Sequence, residues 1–216
     1  MIGQFFGFIL HIDKSLDVVI KNYGTLVYLF FFLVVFCETG LVIIPFLPGD
    51  SLVFAASAFA ARLSSPLNIW LVFLIFSTAA IIGDTVNYQI GYFFGEKLFS
   101  NSNSKLFKRA YLDKTHNFYD KHGSVTIIIA RFMPIIRTFA PFVAGIGKMN
   151  YFKFLAYNVV GGIGWVAVFC ISGYFFGNIP FIQAHFTEVV YFIIFVSLLP
   201  AIIAFIKSIV GNRKVA

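Results

Sequence analysis

The sequence contains few charged residues for its length. Only 12% of its 216 residues are charged, whereas a soluble domain usually has about 25%. Hydrophobic residues make up 60% of the chain and Phe alone occurs 30 times, so one compact core of this size cannot hide all of them. Lipid must therefore be the solvent for much of the chain, and we predict an all-α integral membrane protein.

Sequence motifs of enzymes and of metal sites are also missing. There is no Gly-x-Ser-x-Gly, no His-Glu-x-x-His and no P-loop, and the 4 His residues lack metal-ligand spacing. Cys37 and Cys170 both lie in apolar runs, where a small buried hydrophobe is a more common role than a disulfide or a metal ligand. We therefore predict no enzymatic activity, no catalytic residue, no metal site and no cofactor.

The net charge of +7 is distributed in a way that indicates membrane orientation. Lys and Arg residues cluster in short stretches between apolar runs, and such basic stretches normally stay on the cytoplasmic side. The stretch 96–122 and the tail 207–216 are both basic, which predicts that both are cytoplasmic. The same distribution argues against nucleic acid as a partner.

Apolar runs separated by turns and basic stretches predict the order of the membrane elements. Pro45, Pro48 and Gly49 interrupt the first run, and Pro134 and Pro141 interrupt a later one, which indicates two helical hairpins. The predicted elements are an interfacial helix at 1–23, a re-entrant hairpin at 24–61, a transmembrane helix at 67–95, a cytoplasmic loop and amphipathic helix at 96–122, a second re-entrant hairpin at 123–147, and transmembrane helices at 154–177 and 189–206.

The hairpin at 123–147 is predicted to return to the side from which it enters. Each of its arms is only about ten residues long, which is too short to cross a bilayer. A hairpin that returns to its own side adds no crossing, so a hairpin followed by one full span crosses the membrane once. The second of two such units in series therefore starts on the opposite side and has the opposite orientation. The pentapeptide Gly-Tyr-Phe-Phe-Gly occurs at 91–95 and again at 173–177, at the end of each unit's span. We therefore predict an inverted-repeat architecture of the kind found in transporters.

Four charged residues lie inside the predicted hairpins, namely Glu38, Asp50, Arg131 and Arg137. One charge at the centre of a lone membrane helix costs about 2.5–3.5 kcal/mol, so these four must pair, face water or lie near the membrane edge. Guanidinium groups bind two phosphate oxygens at once, so the two Arg residues are predicted to hold a phosphate or another anionic head group. A carboxyl group removed from water favours its protonated form, so Glu38 or Asp50 is predicted to couple protons or to gate the Arg pair.

The four charges also have structural interpretations. In one interpretation, the four charges have no role beyond tying the two hairpins together. In another, Asp50 and Arg137 lie at a wet membrane edge. A further polar cluster, Asp84, Asn87 and Tyr88, lies in the span at 67–95 and could extend the polar site. Small residues recur every four positions on the same helix and favour close helix packing instead; they are Gly83, Asn87, Gly91 and Gly95.

Several segments resemble the motifs of the bacterial DedA family. Residues 36–51, Phe-Cys-Glu-Thr-Gly-Leu-Val-Ile-Ile-Pro-Phe-Leu-Pro-Gly-Asp-Ser, resemble its first motif. Residues 130–145, Ala-Arg-Phe-Met-Pro-Ile-Ile-Arg-Thr-Phe-Ala-Pro-Phe-Val-Ala-Gly, resemble its second. The segments 83–88, 111–116 and 173–177 also fit. By these motifs, Glu38 and Asp50 match the family's acidic residues, and Arg131 and Arg137 match its arginines.

The resemblance implies a multi-pass protein of the bacterial inner membrane that is related to eukaryotic lipid scramblases. It implies translocation of lipid phosphates, with undecaprenyl phosphate or a phospholipid as the partner, and coupling to protons. Two other functions stay open from the residues alone. One is proton-driven transport of small cations or drugs, which the two acidic residues would serve. The other is a structural role in the assembly of membrane proteins.

Overall fold

A computed structural model describes residues 24–41, 49–62, 65–99, 123–186, 188–189, 191–193 and 195–196. Within these ranges the regular elements are all helical. They are α1 (Leu26–Gly40), α2 (Gly49–Ala60), α3 (Ile69–Phe99), a 3₁₀ turn (Gly123–Val125), α4 (Thr126–Ala130), α5 (Pro134–Ile146), α6 (Tyr151–Phe176) and α7 (Pro180–Ala184). The elements predicted at 1–23, over most of 96–122 and over most of 189–206 lie outside the described residues, as do Pro45 and Pro48.

Two of the described helices are long and apolar enough to cross a membrane. They are residues 69–95 of α3 and all of α6, with 27 and 26 residues. At about 1.5 Å per residue each is close to 40 Å long, which exceeds the roughly 30 Å hydrocarbon core. Transmembrane helices were predicted at 67–95 and 154–177, and these two candidate spans lie at the same places in the chain with ends that differ by a few residues.

The two long helices expose large apolar side chains along their length. Trp70 and Phe93 of α3 are 78% and 67% exposed, and Phe152 and Phe175 of α6 are 78% and 69% exposed. A soluble protein rarely exposes an extended apolar surface of this kind. Lipid is the solvent in which such side chains are stable, so the prediction of a helical membrane protein is confirmed.

Both long helices begin at an asparagine cap. The side-chain oxygen of Asn68 accepts a hydrogen bond from the backbone N–H of Trp70 (2.8 Å), and that of Asn150 accepts one from Lys153 (3.2 Å). Asn is among the preferred N-cap residues, because it satisfies an N–H group that has no partner within the helix. The cap precedes the first glycine of Gly-Tyr-Phe-Phe-Gly by the same distance in both helices, from Asn68 to Gly91 and from Asn150 to Gly173.

The chain divides into two compact units, and the first consists of residues 1–31, 48–75 and 167–216. Its described centre is α2, which is buried from Ser51 to Phe59. The glycines of the second pentapeptide pack against this helix: a Cβ on Gly173 would meet the carbonyl oxygen of Phe54, and one on Gly177 would meet the Cβ of Ala58. From Leu52 to Ala60 this helix has no charged residue, and a helix without a polar face is buried by its neighbours.

The second unit consists of residues 32–47 and 76–166. Here the glycines of α3 pack against α1 and α5. A Cβ on Gly83 would meet the hydroxyl of Thr39, and one on Gly91 would meet the carbonyl oxygen of Phe142. The predicted small-residue face of α3 is therefore confirmed as a close-packing surface. The first pentapeptide packs against α5 in the same way as the second packs against α2.

The break in the segment 123–147 lies at residues 131–133, between α4 and α5. Pro134 then occupies the first turn of α5, where its missing N–H costs nothing because that group has no partner within a helix. Arg131 therefore lies in the break itself, whereas Arg137 lies inside α5. The prediction that Pro141 breaks the hairpin is wrong. It lies within α5, where its ring removes one hydrogen bond without ending the helix.

Candidate functional site

Arg131 is the centre of a buried polar cluster in the second unit. The residue is 5% exposed, and its Nη2 donates to Oδ2 of Asp84 on α3 and to Oδ1 of Asn158 on α6. The carbonyl oxygen of Ala80, 3.5 Å from Nη2, is a third and weaker acceptor. The guanidinium therefore connects the hairpin break to both long helices. Sequence analysis proposed Asp84 only as an extension of the polar site, but it is the direct ion-pair partner of Arg131.

Two glycines of α6 leave space for the side chain of Arg131. A Cβ on Gly161 would lie 3.0 Å from Cδ of Arg131, and one on Gly162 would lie 3.4 Å from its Nη2. The first contact is shorter than most contacts of a real Cβ, so alanine at Gly161 would require the side chain of Arg131 to shift by a few tenths of an ångström, whereas the contact at Gly162 is an ordinary van der Waals contact. Both glycines therefore lie directly against the side chain of Arg131.

Arg137 forms the second ion pair of the unit. Its Nη2 lies 3.3 Å from Oε1 of Glu38 on α1, and its guanidinium carbon lies 4.5 Å from the ring centroid of Trp165 on α6. The guanidinium is thus held by a carboxylate and by an aromatic face, an arrangement that stabilises a buried cation. Glu38 and Arg137 are 4% and 7% exposed, so the pair does not lie at a wet edge within this unit.

Asn87 joins the two residues that follow this pair in sequence. Its Nδ2 donates to the carbonyl oxygens of Thr39 (3.0 Å) and Thr138 (2.7 Å). Thr39 follows Glu38 in α1 and Thr138 follows Arg137 in α5, so one amide on α3 fixes both helices beside their ion pair. Asn87 is fully buried. It combines the two alternatives given by the sequence, since it lies on the packing face and also supports the charged residues.

Tyr88 belongs to the apolar packing of the unit. Its hydroxyl donates to the carbonyl oxygen of Met149, and its ring stacks on Phe154 at a centroid distance of 4.4 Å. It forms a buried cluster with Phe154, Ile127 and Ala144. Its contacts assign it to the structural support of the unit, not to the charged groups.

Asp50 and Gly49 belong to the first unit. Gly49 is the first residue of α2 and Asp50 lies half-buried in its first turn. A carboxylate in this position interacts favourably with the positive end of the helix dipole. The part in proton coupling that the sequence suggested for Asp50 stays a prediction.

Several buried polar atoms of the second unit have no hydrogen-bond partner among the described residues. They include Nε of Arg131, Oδ1 of Asn87, Oγ of Ser77 and Oγ1 of Thr126. Leaving such an atom unsatisfied costs about 1–3 kcal/mol, and the Nε of Arg131 is the one among them that belongs to a charged group and can still donate to an anion. Among the same residues no group of His, Cys, Asp and Glu is arranged to hold a metal ion.

Sequence analysis did not predict two residues of this site, Asn158 and Trp165. Both lie in α6, which was interpreted only as a span without charge. An amide in the middle of an apolar span was the available signal for Asn158, because a polar group in hydrocarbon needs a partner. Trp165 carried no comparable signal, since a buried aromatic residue is ordinary in such a helix.

Comparisons with known proteins agree with the motif resemblance. A family model described as the VTT domain matches residues 44–175. The chain is 56% identical to Protein DedA of Escherichia coli strain K12 over 200 residues, which cover 93% of this chain and 91% of that protein. This chain belongs to the DedA family.

Two other relatives are similar over shorter stretches of the chain. A protein of Mycobacterium leprae, described as an uncharacterized membrane protein, is 42% identical over 171 residues, which cover 79% of this chain and 76% of that protein. Inner membrane protein YqjA of Escherichia coli strain K12 is 30% identical over 157 residues, which cover 72% and 70%. No solved structure matches the chain significantly.

Proposed function

We propose that this DedA-family protein translocates lipid phosphates across the membrane, with undecaprenyl phosphate or a phospholipid as the substrate. The observation that carries this proposal is the pair of buried guanidinium groups, Arg131 and Arg137, in a unit built from apolar membrane helices. Intramembrane charges of this kind usually serve a substrate or ion pathway. A guanidinium is the side chain best suited to a phosphate, because its fork of N–H donors matches two phosphate oxygens.

Charge balance supports coupling to protons. The second unit holds Arg131 and Arg137 against Glu38 and Asp84, so the two ion pairs are neutral together. A lipid phosphate brings at least one further negative charge into this place. In a medium of low dielectric constant an uncompensated charge is costly, so entry of the phosphate favours uptake of a proton by a carboxylate. Glu38 is the proposed proton carrier, with Asp50 as the second candidate.

The proposed architecture consists of two re-entrant hairpins and an inverted repeat. Helices α2 and α5 have 12 and 13 residues, or about 18–20 Å, which is too short to cross a hydrocarbon core of roughly 30 Å. The repeat is supported by the equal spacing of cap and pentapeptide in α3 and α6, and by the matching packing of the two pentapeptides on α5 and α2. We further propose a location in the bacterial inner membrane, as the name of YqjA states for that relative, with a cytoplasmic C-terminus.

The proposal can be tested with purified protein in liposomes. Translocation of a fluorescent phospholipid and of a polyprenyl phosphate would be compared for the wild type, Arg131→Ala and Arg131→Lys. Loss of a charge-assisted hydrogen bond of about 1.5–3 kcal/mol predicts a rate about ten- to a hundredfold lower for Arg131→Ala, with Arg131→Lys between the two. Arg62→Ala is the matched control, because Arg62 lies over the ring of Phe59 in the first unit (3.9 Å).

One further variant separates function from stability. Arg131→Ala alone leaves the carboxylate of Asp84 buried without its cation, which destabilises the fold by itself. The double variant Arg131→Ala, Asp84→Asn removes both charges. If Arg131 binds the phosphate, the double variant folds but still fails to translocate. Wild-type rates in the double variant, or equal lipid movement in the wild type and Arg131→Ala, would remove Arg131 from the mechanism.

The buried carboxylate of Glu38 also favours a second candidate, the proton-driven transport of small cations. The liposome assay distinguishes the two functions. Lipid movement that responds to a pH difference, with the response lost in Glu38→Gln, supports the translocase. Proton flux that depends on an added cation, without lipid movement, supports the cation transporter.

A further inference from the structure

Arg131 is already occupied by groups of the protein itself. Its Nη2 donates to Asp84, to Asn158 and, weakly, to the carbonyl of Ala80, while its Nε has no partner among the described residues. The outer edge of a guanidinium formed by Nε and Nη2 is one of its two bidentate binding edges. At this edge one nitrogen is available and the other is occupied.

A phosphate that binds this edge with two oxygens must take Nη2 from an existing acceptor. Among the acceptors of Nη2, the amide of Asn158 is held in place by other contacts. Its Nδ2 donates to the carbonyl oxygen of Ile81 (3.0 Å) and approaches Oγ1 of Thr85 (3.5 Å), and these bonds aim Oδ1 at Arg131. The carboxylate of Asp84 is the acceptor of the same chemical kind as the phosphate, an anion with two oxygens.

We propose that Asp84 is an internal competitor of the substrate phosphate for Arg131, and that Asn158 is a positioning residue that holds the guanidinium while the two anions exchange. The proposal deepens the function proposed above and rests on it for the identity of the competing anion. It gives Asp84 a part distinct from that of Glu38, which pairs with the other arginine.

The exchange has a physical purpose in a translocase. An arginine left unpaired in hydrocarbon between substrates would destabilise the empty protein. Asp84 supplies a carboxylate when no phosphate is bound, so the resting state stays neutral. The same carboxylate limits the affinity for the phosphate and thereby favours its release, because binding is measured against the pair it displaces.

The first test measures the availability of Arg131 without any lipid. Detergent-purified protein is treated with phenylglyoxal, which modifies arginine, and the extents at Arg131 and Arg137 are measured by peptide mass spectrometry. Asp84→Asn should raise the rate at Arg131 on the order of tenfold, the factor equivalent to about 1.4 kcal/mol, and leave Arg137 unchanged. Asp84→Glu keeps the carboxylate and should retain most of the protection. Equal rates at Arg131, or a parallel rise at both arginines, would overturn the proposal.

Asn158→Asp covers the case in which Asp84→Asn does not fold. It places a second carboxylate on Nη2, so the rate at Arg131 should fall below that of the wild type. An unchanged or higher rate contradicts the proposal. A purely structural role for the cluster would instead loosen the unit in either variant and expose both arginines.

The second test measures binding of a short-chain dialkyl phosphate. If Asp84 competes with the phosphate, the affinity for the dialkyl phosphate should be about tenfold higher in Asp84→Asn than in the wild type, where a factor of ten corresponds to about 1.4 kcal/mol. In Asn158→Asp the affinity should be lower than in the wild type. Equal or weaker binding by Asp84→Asn overturns the competition. If no protein binds the phosphate at all, the proposed function fails, while the phenylglyoxal rates still decide whether Asp84 restrains Arg131.

Discussion

Alanine at Gly91 should destabilise the protein, whereas the same substitution at Gly164 should not. A Cβ on Gly91 would collide with the carbonyl oxygen of Phe142 and lie 2.8 Å from its carbonyl carbon, which is the backbone of α5. No atom of the described chain lies within 4 Å of a Cβ placed on Gly164. Both glycines are inside long helices, so the change in helix propensity is the same and only the neighbouring helix differs.

The magnitude follows from two opposing contributions. Replacing Gly by Ala in a helix interior stabilises it by about 1 kcal/mol, and this contribution remains alone at Gly164. Overpacking costs about 1–3 kcal/mol, and the upper part of that range applies at Gly91 because a backbone carbonyl moves only with its whole helix. We therefore expect the free energy of unfolding to fall by about 1–2 kcal/mol for Gly91→Ala and to rise by up to about 1 kcal/mol for Gly164→Ala.

Thermal unfolding of the purified proteins in one detergent measures this difference. In a chain of this size 1 kcal/mol shifts the midpoint by about 2–4 °C, so a difference of about 1–3 kcal/mol between the two variants should separate their midpoints by about 2–12 °C. Gly173→Ala is a second comparison, since its Cβ would meet the carbonyl oxygen of Phe54 in the other unit. A midpoint for Gly91→Ala at or above that of the wild type would refute the close contact between α3 and α5.

Two further substitutions test the contacts around the ion pairs. Asn87→Leu keeps the size of the side chain but leaves the carbonyls of Thr39 and Thr138 without their donor, and a lower unfolding midpoint equivalent to about 1–2 kcal/mol is expected. Tyr88→Phe removes the hydrogen bond to Met149 but keeps the ring stacking. It should cost about 1 kcal/mol with unchanged lipid translocation, and a translocation defect without a stability change would show that Tyr88 acts on the substrate.

The neutral balance of the two buried ion pairs explains why these four charges are tolerated. Removing one partner of a buried ion pair typically costs about 3–5 kcal/mol, which is a large part of the stability of a domain. The structure pairs each arginine with a carboxylate from a different helix and adds an aromatic face or an amide. The same arrangement that makes the charges tolerable also makes them dependent on one another, and this is the basis of the competition proposed for Asp84.

Membrane residence, the two long helices and the four charged residues follow from the sequence alone. Composition decides the solvent, since 60% hydrophobic residues cannot be packed away from water in a chain of this length. The spacing of apolar runs decides the spans, because the thickness of the bilayer sets the length of a helix. The glycines at every fourth position of α3 likewise predicted a packing face, because a helix brings such residues to one side.

The identity of the ion-pair partners was decided only by the tertiary structure. Sequence analysis placed two acidic residues in one hairpin and two arginines in the other, and pairing across them was the simplest expectation. Arg137 does pair with Glu38, but Arg131 pairs with Asp84 on a long helix and with Asn158 on another. When the partners lie on helices far apart in the chain, the rotation of each helix about its axis and the distance between the helices decide which groups pair. A linear pattern of charges contains neither of these quantities.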